Sequence, residues 1–247
     1  MIGCIYHLST KFMRFFLILA AVLPSVLCAQ PTSKRTCRIL FLDGPEAAPT
    51  ELFLFDGTNT QKVELPRFNL SPIYEIANGA IRLCLLPAPP SDPKAIPTDA
   101  PAANVAESSG DIYLILGHDP KNRIAPVAMQ IVDASAQKLS PGRMLWLNLT
   151  PHEIGGILGT QRLKMTANSR TVVDPPASRQ EAFDVKISYR IKGETDFWPI
   201  CETKWQHVPQ IRSIVFVIGG KSAAHAPRIR RFTDFRPPSE KEEGTAQ

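Results

Sequence analysis

The sequence predicts an all-β fold: two packed β-sandwich, immunoglobulin-like units of short antiparallel strands. Three observations carry this expectation. In the run Phe183-Asp-Val185-Lys-Ile187-Ser-Tyr189-Arg-Ile191 every second residue is apolar and every intervening one polar, which buries one face of a strand and wets the other. Ile112–Leu116, Met144–Leu149 and Ile214–Ile218 are almost continuously apolar and of strand length, as strands covered on both faces are. Gly, Pro, Asp and Asn punctuate the spaces between such runs, and no stretch keeps a helical period over several turns.

At the N-terminus, Lys11 and Arg14 precede an apolar run from Phe15 to Val22, broken by Pro24 and followed by small or polar residues through Ala29 and Gln30. That order is a secretory signal peptide, expected over residues 1–29 with cleavage after Ala29 and with Met13 as its functional start. The run is shorter than the about 20 apolar residues a bilayer-spanning helix needs. A secreted or periplasmic chain with no transmembrane segment after signal cleavage is therefore expected. Lipidation at Cys28 would ask for a small residue before the cysteine, where Leu27 stands. The signal carries two cations and no acid out of a formal charge of +5. What remains is ordinary for a soluble protein and does not point to nucleic acid, which selects a concentrated basic face.

After the signal, strands are expected at Arg38–Leu42, Glu51–Phe55, Gln61–Leu65 and Ala80–Leu86, with Asp56-Gly57 and Asn59 turning one hairpin. Further strands are expected at Val127–Val132, Gln161–Met165, Trp198–Lys204 and Ile229–Phe235. Between them Pro87, Pro89, Pro90, Pro93, Pro97 and Pro101 punctuate Ala, Ser and Asp. Proline lacks the ladder donor, so 87–110 is expected to be a disordered surface loop. The resulting domains are 30–120 and 121–237, each β, with a boundary near Lys121 and a disordered tail at 238–247. Strands of an outer-membrane barrel need about 9–11 alternating residues, and several runs here are shorter. Of five cysteines, Cys4 and Cys28 fall in the signal. Cys37, Cys84 and Cys201 then permit one disulfide at most, Cys37 with Cys84, and three free thiols are the alternative.

Asp133 to Thr150, with Pro141-Gly142 followed by Leu145-Trp146-Leu147-Asn148-Leu149-Thr150, resembles a family of uncharacterised exported bacterial β-sandwich proteins. The likeness covers roughly residues 111–236. It continues through a glycine-containing strand (Gly156 to Lys164), a strand ending in paired prolines (Val172 to Pro176), the alternating strand at Phe183, a Trp-Pro-Ile strand to Trp205, and Arg212 to Ile218. The resemblance implies the fold and export but no activity, since none is established for the family. Read from the residues alone, Pro141-Gly142 turns the chain, and Asn148 and Thr150 can bond local backbone at a strand end.

Candidate chemistry is sparse. His152-Glu153 opens like a zinc-protease helix, but the second ligand position holds Gly156, so neither a metal nor any other cofactor is expected. Ser135 and Lys138 have the spacing of a serine nucleophile with a lysine base, without the companion motifs. His118, His207 and His225 stand alone beside turn residues. Arg228, Arg230, Arg231 and Arg236, with Lys221, form the one basic cluster, suited either to an acidic glycan or to guarding a sheet edge. Trp198 and Trp205 offer flat rings to a sugar. Seven positions apart, they face opposite sides of an unbroken strand, so one of them is core. The candidate binding residues are thus Trp198, Trp205, Arg228, Arg230 and Arg231. The function expected is an exported, non-catalytic binding or interaction module of the bacterial cell envelope with a protein or polysaccharide partner. An exported hydrolase whose active site no motif reveals comes second, and a structural envelope component third.

Overall fold

The computed structural model describes residues 35–220 and 226–235. The expected signal, Lys221, His225, Arg236 and the tail lie outside them. Among the described residues every regular element is a strand: β1 Arg35–Phe41, β2 Glu51–Phe55, β3 Thr60–Glu64, β4 Tyr74–Ile76, β5 Ile81–Leu86, β6 Ala102–Val105, β7 Ile112–His118, β8 Val127–Asp133, β9 Met144–Asn148, β10 Glu153–Leu158, β11 Gln161–Met165, β12 Arg170–Val173, β13 Glu181–Arg190, β14 Trp198–His207, β15 Ile211–Ile218 and β16 Arg228–Phe235.

These strands form four open sheets of four: sheet I (β4-β1-β7-β8), sheet II (β3-β2-β5-β6), sheet III (β12-β9-β15-β16) and sheet IV (β11-β10-β13-β14). Sheets I and II close one apolar core around Ile39, Phe41, Leu54, Leu83, Leu85, Ile112 and Leu114. Sheets III and IV close another around Trp146, Ile154, Val185, Ile187, Val215 and Val217. The two sandwiches meet across a third core, in which Leu40, Tyr113 and Ile115 of sheet I face Leu145, Leu147, Ile214, Phe216 and Phe232 of sheet III. Sheets I and III are therefore covered on both sides, and the continuous apolar runs noted in the sequence are their central strands, buried at every position but Leu149.

The antiparallel pairing expected from sequence holds except in two places, where β1 runs parallel to β7 and β9 parallel to β15. These two exceptions occupy the same position in a repeated plan. Adding eight to each strand number in sheets I and II reproduces the strand order of sheets III and IV, with every pairing sense preserved. Each half thus builds its inner sheet from its first, fourth, seventh and eighth strands and its outer sheet from its second, third, fifth and sixth.

Two expectations are corrected here, and the alternatives left open for the cysteines are decided. The segment 87–110 is not a disordered excursion: Ala102–Val105 pairs with β5 as the edge of sheet II, Ala100 and Val105 are buried, and Leu85 N–H donates to Pro101 O at 3.0 Å. The prolines all precede a proline-free tetrapeptide, which supplies the ladder at an edge, where a proline neighbour is tolerated. Cys37 and Cys84 do not pair with each other, and none of the three described cysteines forms a disulfide. Cys37 lies in the core between sheets I and II, whereas Cys84 points to the opposite side of sheet II, among Phe55, Leu86 and Ala100. The crossing between sandwiches also falls later than Lys121: β8 pairs with β7, so the chain leaves sheet I between Asp133 and Met144.

Candidate binding surface

The outer face of sheet IV follows from alternation on β13. Phe183, Val185 and Ile187 point into the core, which turns Asp184, Lys186, Ser188 and Arg190 outward. Register carries that parity across the sheet. Glu153, Gly155 and Ile157 of β10 stand beside Arg190, Ser188 and Lys186, and Lys164 and Arg162 of β11 stand beside Gly155 and Ile157. Glu202 and Lys204 complete the row on β14. Each carboxylate on this face has a cation: Glu153 meets Arg190, Glu202 meets Lys186, and Asp184 lies 3.6 Å from Lys204. The hydrogen bond to Glu202 and its charge raise the Lys186 ammonium above its ordinary pKa.

Phe197 folds back over the same face. Its ring rests where Gly155 lacks a side chain, since a Cβ there would stand 3.0 Å from Phe197 Cε1, and the Arg190 guanidinium lies 4.9 Å from the ring centroid. Trp198, Phe197 and Ile157 are 51%, 47% and 45% exposed. Trp198 Nε1 donates to Glu194 at 3.0 Å. Glu194, Arg190, Glu153, Lys192 and Thr166 line an open cleft of about 570 Å³ at this end of the sheet, so the indole stands at its rim.

Trp205 has a different fate for a reason that spacing alone does not show. β14 carries one extra residue opposite Ile187 and Ser188, so that Trp198 pairs with Tyr189 and Trp205 with Phe183. The bulge puts both indoles on the same side of the strand. Trp205 lies over the core, stacked on Trp146 at 5.8 Å and edge-on to Phe183 at 6.3 Å. Trp198 lies at the end of the strand, beyond the core, and keeps an open face.

The arginines of β16 are also engaged. Arg230 binds Asp43 at 2.8 Å and the Arg67 carbonyl at 2.9 Å, and packs over Phe68 and Phe232. Arg228 reaches the same Asp43 at 3.4 Å. Arg231 points to the opposite side, onto Trp205, with Ser213 Oγ and the Gln206 carbonyl as acceptors, and burial pulls its pKa down. β16 is an edge strand of sheet III, the position at which charge discourages pairing with another chain. Of the five binding residues expected from sequence, Trp198 alone presents a free flat surface.

The other sequence candidates settle into structural roles. Lys138 Nζ lies 2.5 Å from Asp133, whose carboxylate also accepts from Ser135 N–H at 2.9 Å. Burial would raise the Asp133 pKa, but these hydrogen bonds and the ammonium outweigh it and lower the value. Lys138 Nζ is thus engaged by Asp133. His152 lies tilted against Tyr189, ring centroids 5.4 Å apart, while its carbonyl accepts from Asn148 at 2.7 Å. Asn148, fully buried, also bonds the Thr166 carbonyl and the Thr150 hydroxyl, the strand-end role expected for this pair. His118 Nδ1 lies 3.2 Å from Pro126 O, and His207 is buried. Among the described residues no three His, Cys, Asp or Glu side chains gather as a metal-ligand set.

Phe197, Arg190, Glu194 and Ile157 had no signal in the sequence, and Glu153 stood out there only beside His152, for a metal chemistry. They come from two strands and the loop between β13 and β14, with no local spacing to link them. The Gly155-Gly156 pair was the one hint, since glycine inside a strand marks close approach of another group. No family model matches the chain, and no curated protein matches it.

Proposed function

We propose that the protein is an exported, non-catalytic binding module of the bacterial cell envelope and that its ligand is a polysaccharide held at the end of sheet IV, where Trp198 meets the cleft lined by the outward-facing Glu153 and Arg190. One observation carries this reading: the half-exposed Trp198 indole, tethered by Glu194 at the rim of a cleft lined by carboxylate, guanidinium and hydroxyl groups. A flat aromatic ring accepts the apolar face of a pyranose. Planar carboxylates and guanidinium groups supply the acceptors and fixed donors that sugar hydroxyls need. The export half of the reading rests on the basic, apolar and small-residue order of residues 11–30 and on the resemblance of residues 111–236 to exported bacterial proteins.

The test is a glycan array followed by titration of the best ligands with tryptophan fluorescence as readout. Binding should shift the emission, and Trp198→Ala should weaken it at least tenfold, about 1.4 kcal/mol, with an unchanged thermal melt. Absence of binding to every polysaccharide, with capture of an envelope protein through the same face, would overturn the ligand assignment.

A further inference from the structure

We infer that the polysaccharide is acidic, its carboxylate or sulfate groups being met by cations that the outer face of sheet IV leaves unmatched. This rests on the reading just given and names its substrate class. The three outward carboxylates, Glu153, Asp184 and Glu202, are each already matched by Arg190, Lys204 and Lys186. Arg162 and Lys164 are left over. Both are exposed on β11, and among the described residues neither makes an ion pair or side-chain hydrogen bond. Lys192, exposed beside the cleft, is likewise free of a carboxylate.

The arrangement of these groups matters more than their number. Ile157 and Gly155, with the Phe197 ring over the latter, form an apolar floor along β10. Arg162 and Lys164 border it on β11, and Lys186 and Arg190 border it on β13. Neighbouring strands lie about 4.8 Å apart and alternate residues about 7 Å apart. The floor is thus a strip one strand wide, with the unmatched Arg162 and Lys164 along one side and the ion-paired Lys186 and Arg190 along the other, running from Ile157 past Glu153 to the cleft. An elongated strip of this kind suits a chain of sugar units, with ring faces on the apolar floor and anionic substituents turned to either side. The basic cluster that the sequence makes conspicuous, on β16, is occupied by Asp43 and by packing, so the acidic-ligand site lies on a different sheet.

Polygalacturonate and alginate, each beside its neutral methyl ester, separate the possibilities, with vesicles of equal parts phosphatidylglycerol and phosphatidylcholine as a third arm. The full chain should bind at least one acidic polymer and its ester at least tenfold more weakly, and rising salt should weaken the acidic complex. Arg162→Ser with Lys164→Ser should cost roughly tenfold in affinity at low salt; both sites are exposed, and an unchanged melt confirms the fold. Equal binding of polymer and ester would overturn the acidic assignment and leave the glycan reading standing. Binding to the vesicles with none to any polymer would overturn both, as would no binding in any arm.

Discussion

Asp234→Ala tests what holds the two sandwiches together. The Asp234 side chain is fully buried on β16 and meets the Arg38 guanidinium of β1, itself only 15% exposed. Its second oxygen accepts from the Tyr113 hydroxyl at 2.6 Å. Arg38 Nε in turn donates to the Ser71 carbonyl at 2.7 Å. The carboxylate therefore joins sheet III to two strands of sheet I beside the apolar core that the two sheets share. Its removal strips a nearly buried guanidinium of its countercharge, which costs about 3–5 kcal/mol, a large part of the roughly 5–15 kcal/mol that keeps a domain folded. Tyr113→Phe, which removes one donor and leaves the ion pair, should cost about 1–2 kcal/mol. Asp184→Ala breaks the 3.6 Å pair with Lys204, whose side chains are 60% and 75% exposed, and should cost under about 0.5 kcal/mol. Replacing both partners, Arg38→Met with Asp234→Leu, should recover most of the loss, because a buried pair is worth little more than apolar packing of similar volume. Guanidinium denaturation followed by far-ultraviolet circular dichroism and tryptophan fluorescence measures all four. If Asp234→Ala is no worse than Asp184→Ala, the buried ion pair is not what joins the sandwiches.

Gly156→Ala should be severe for a backbone reason: its Cβ would stand 2.5 Å from the Lys186 carbonyl oxygen and 2.6 Å from Ile187 Cδ1, so β10 and β13 must separate. A loss of about 3 kcal/mol or more is expected against less than about 0.5 kcal/mol for Gly117→Ala, which meets nothing within 4 Å; thermal melts that rank the two alike would contradict the register of sheet IV. The His207 pKa is lowered by burial and by Arg231, with Glu181 opposing. Its folded value thus lies below the unfolded one near 6.5, and the unfolded chain binds the proton first. Stability should therefore be complete above about pH 6.5 and fall as the pH drops through the folded value, and His207→Gln should flatten the slope between about pH 7 and pH 5. An unchanged slope in the variant would show that another group titrates there.

Alternation and turn chemistry are relations between near neighbours, and these were legible in the sequence. Val185 and Ile187 face the core as their alternation demands, the runs at Ile112, Met144 and Ile214 are buried except for Leu149, and Asp56 closes its hairpin by accepting from Thr58 and Asn59. The sequence by itself therefore determined the all-β class, most of the strands and the two-sandwich character. Tertiary structure decided everything that depends on a remote partner. The proline-rich segment is ordered because β5 offers Ala102–Val105 a ladder. The repeated eight-strand plan is carried by pairing geometry with different side chains, Cys37–Phe41 in one half and Met144–Asn148 in the other. Asp43, distant in sequence, occupies Arg228 and Arg230, and a one-residue bulge reverses the parity that separates Trp198 from Trp205. Local pattern determines which residues can form a strand and which way they point; the partner strand, supplied from far along the chain, decides which polar and aromatic groups remain free to meet a ligand.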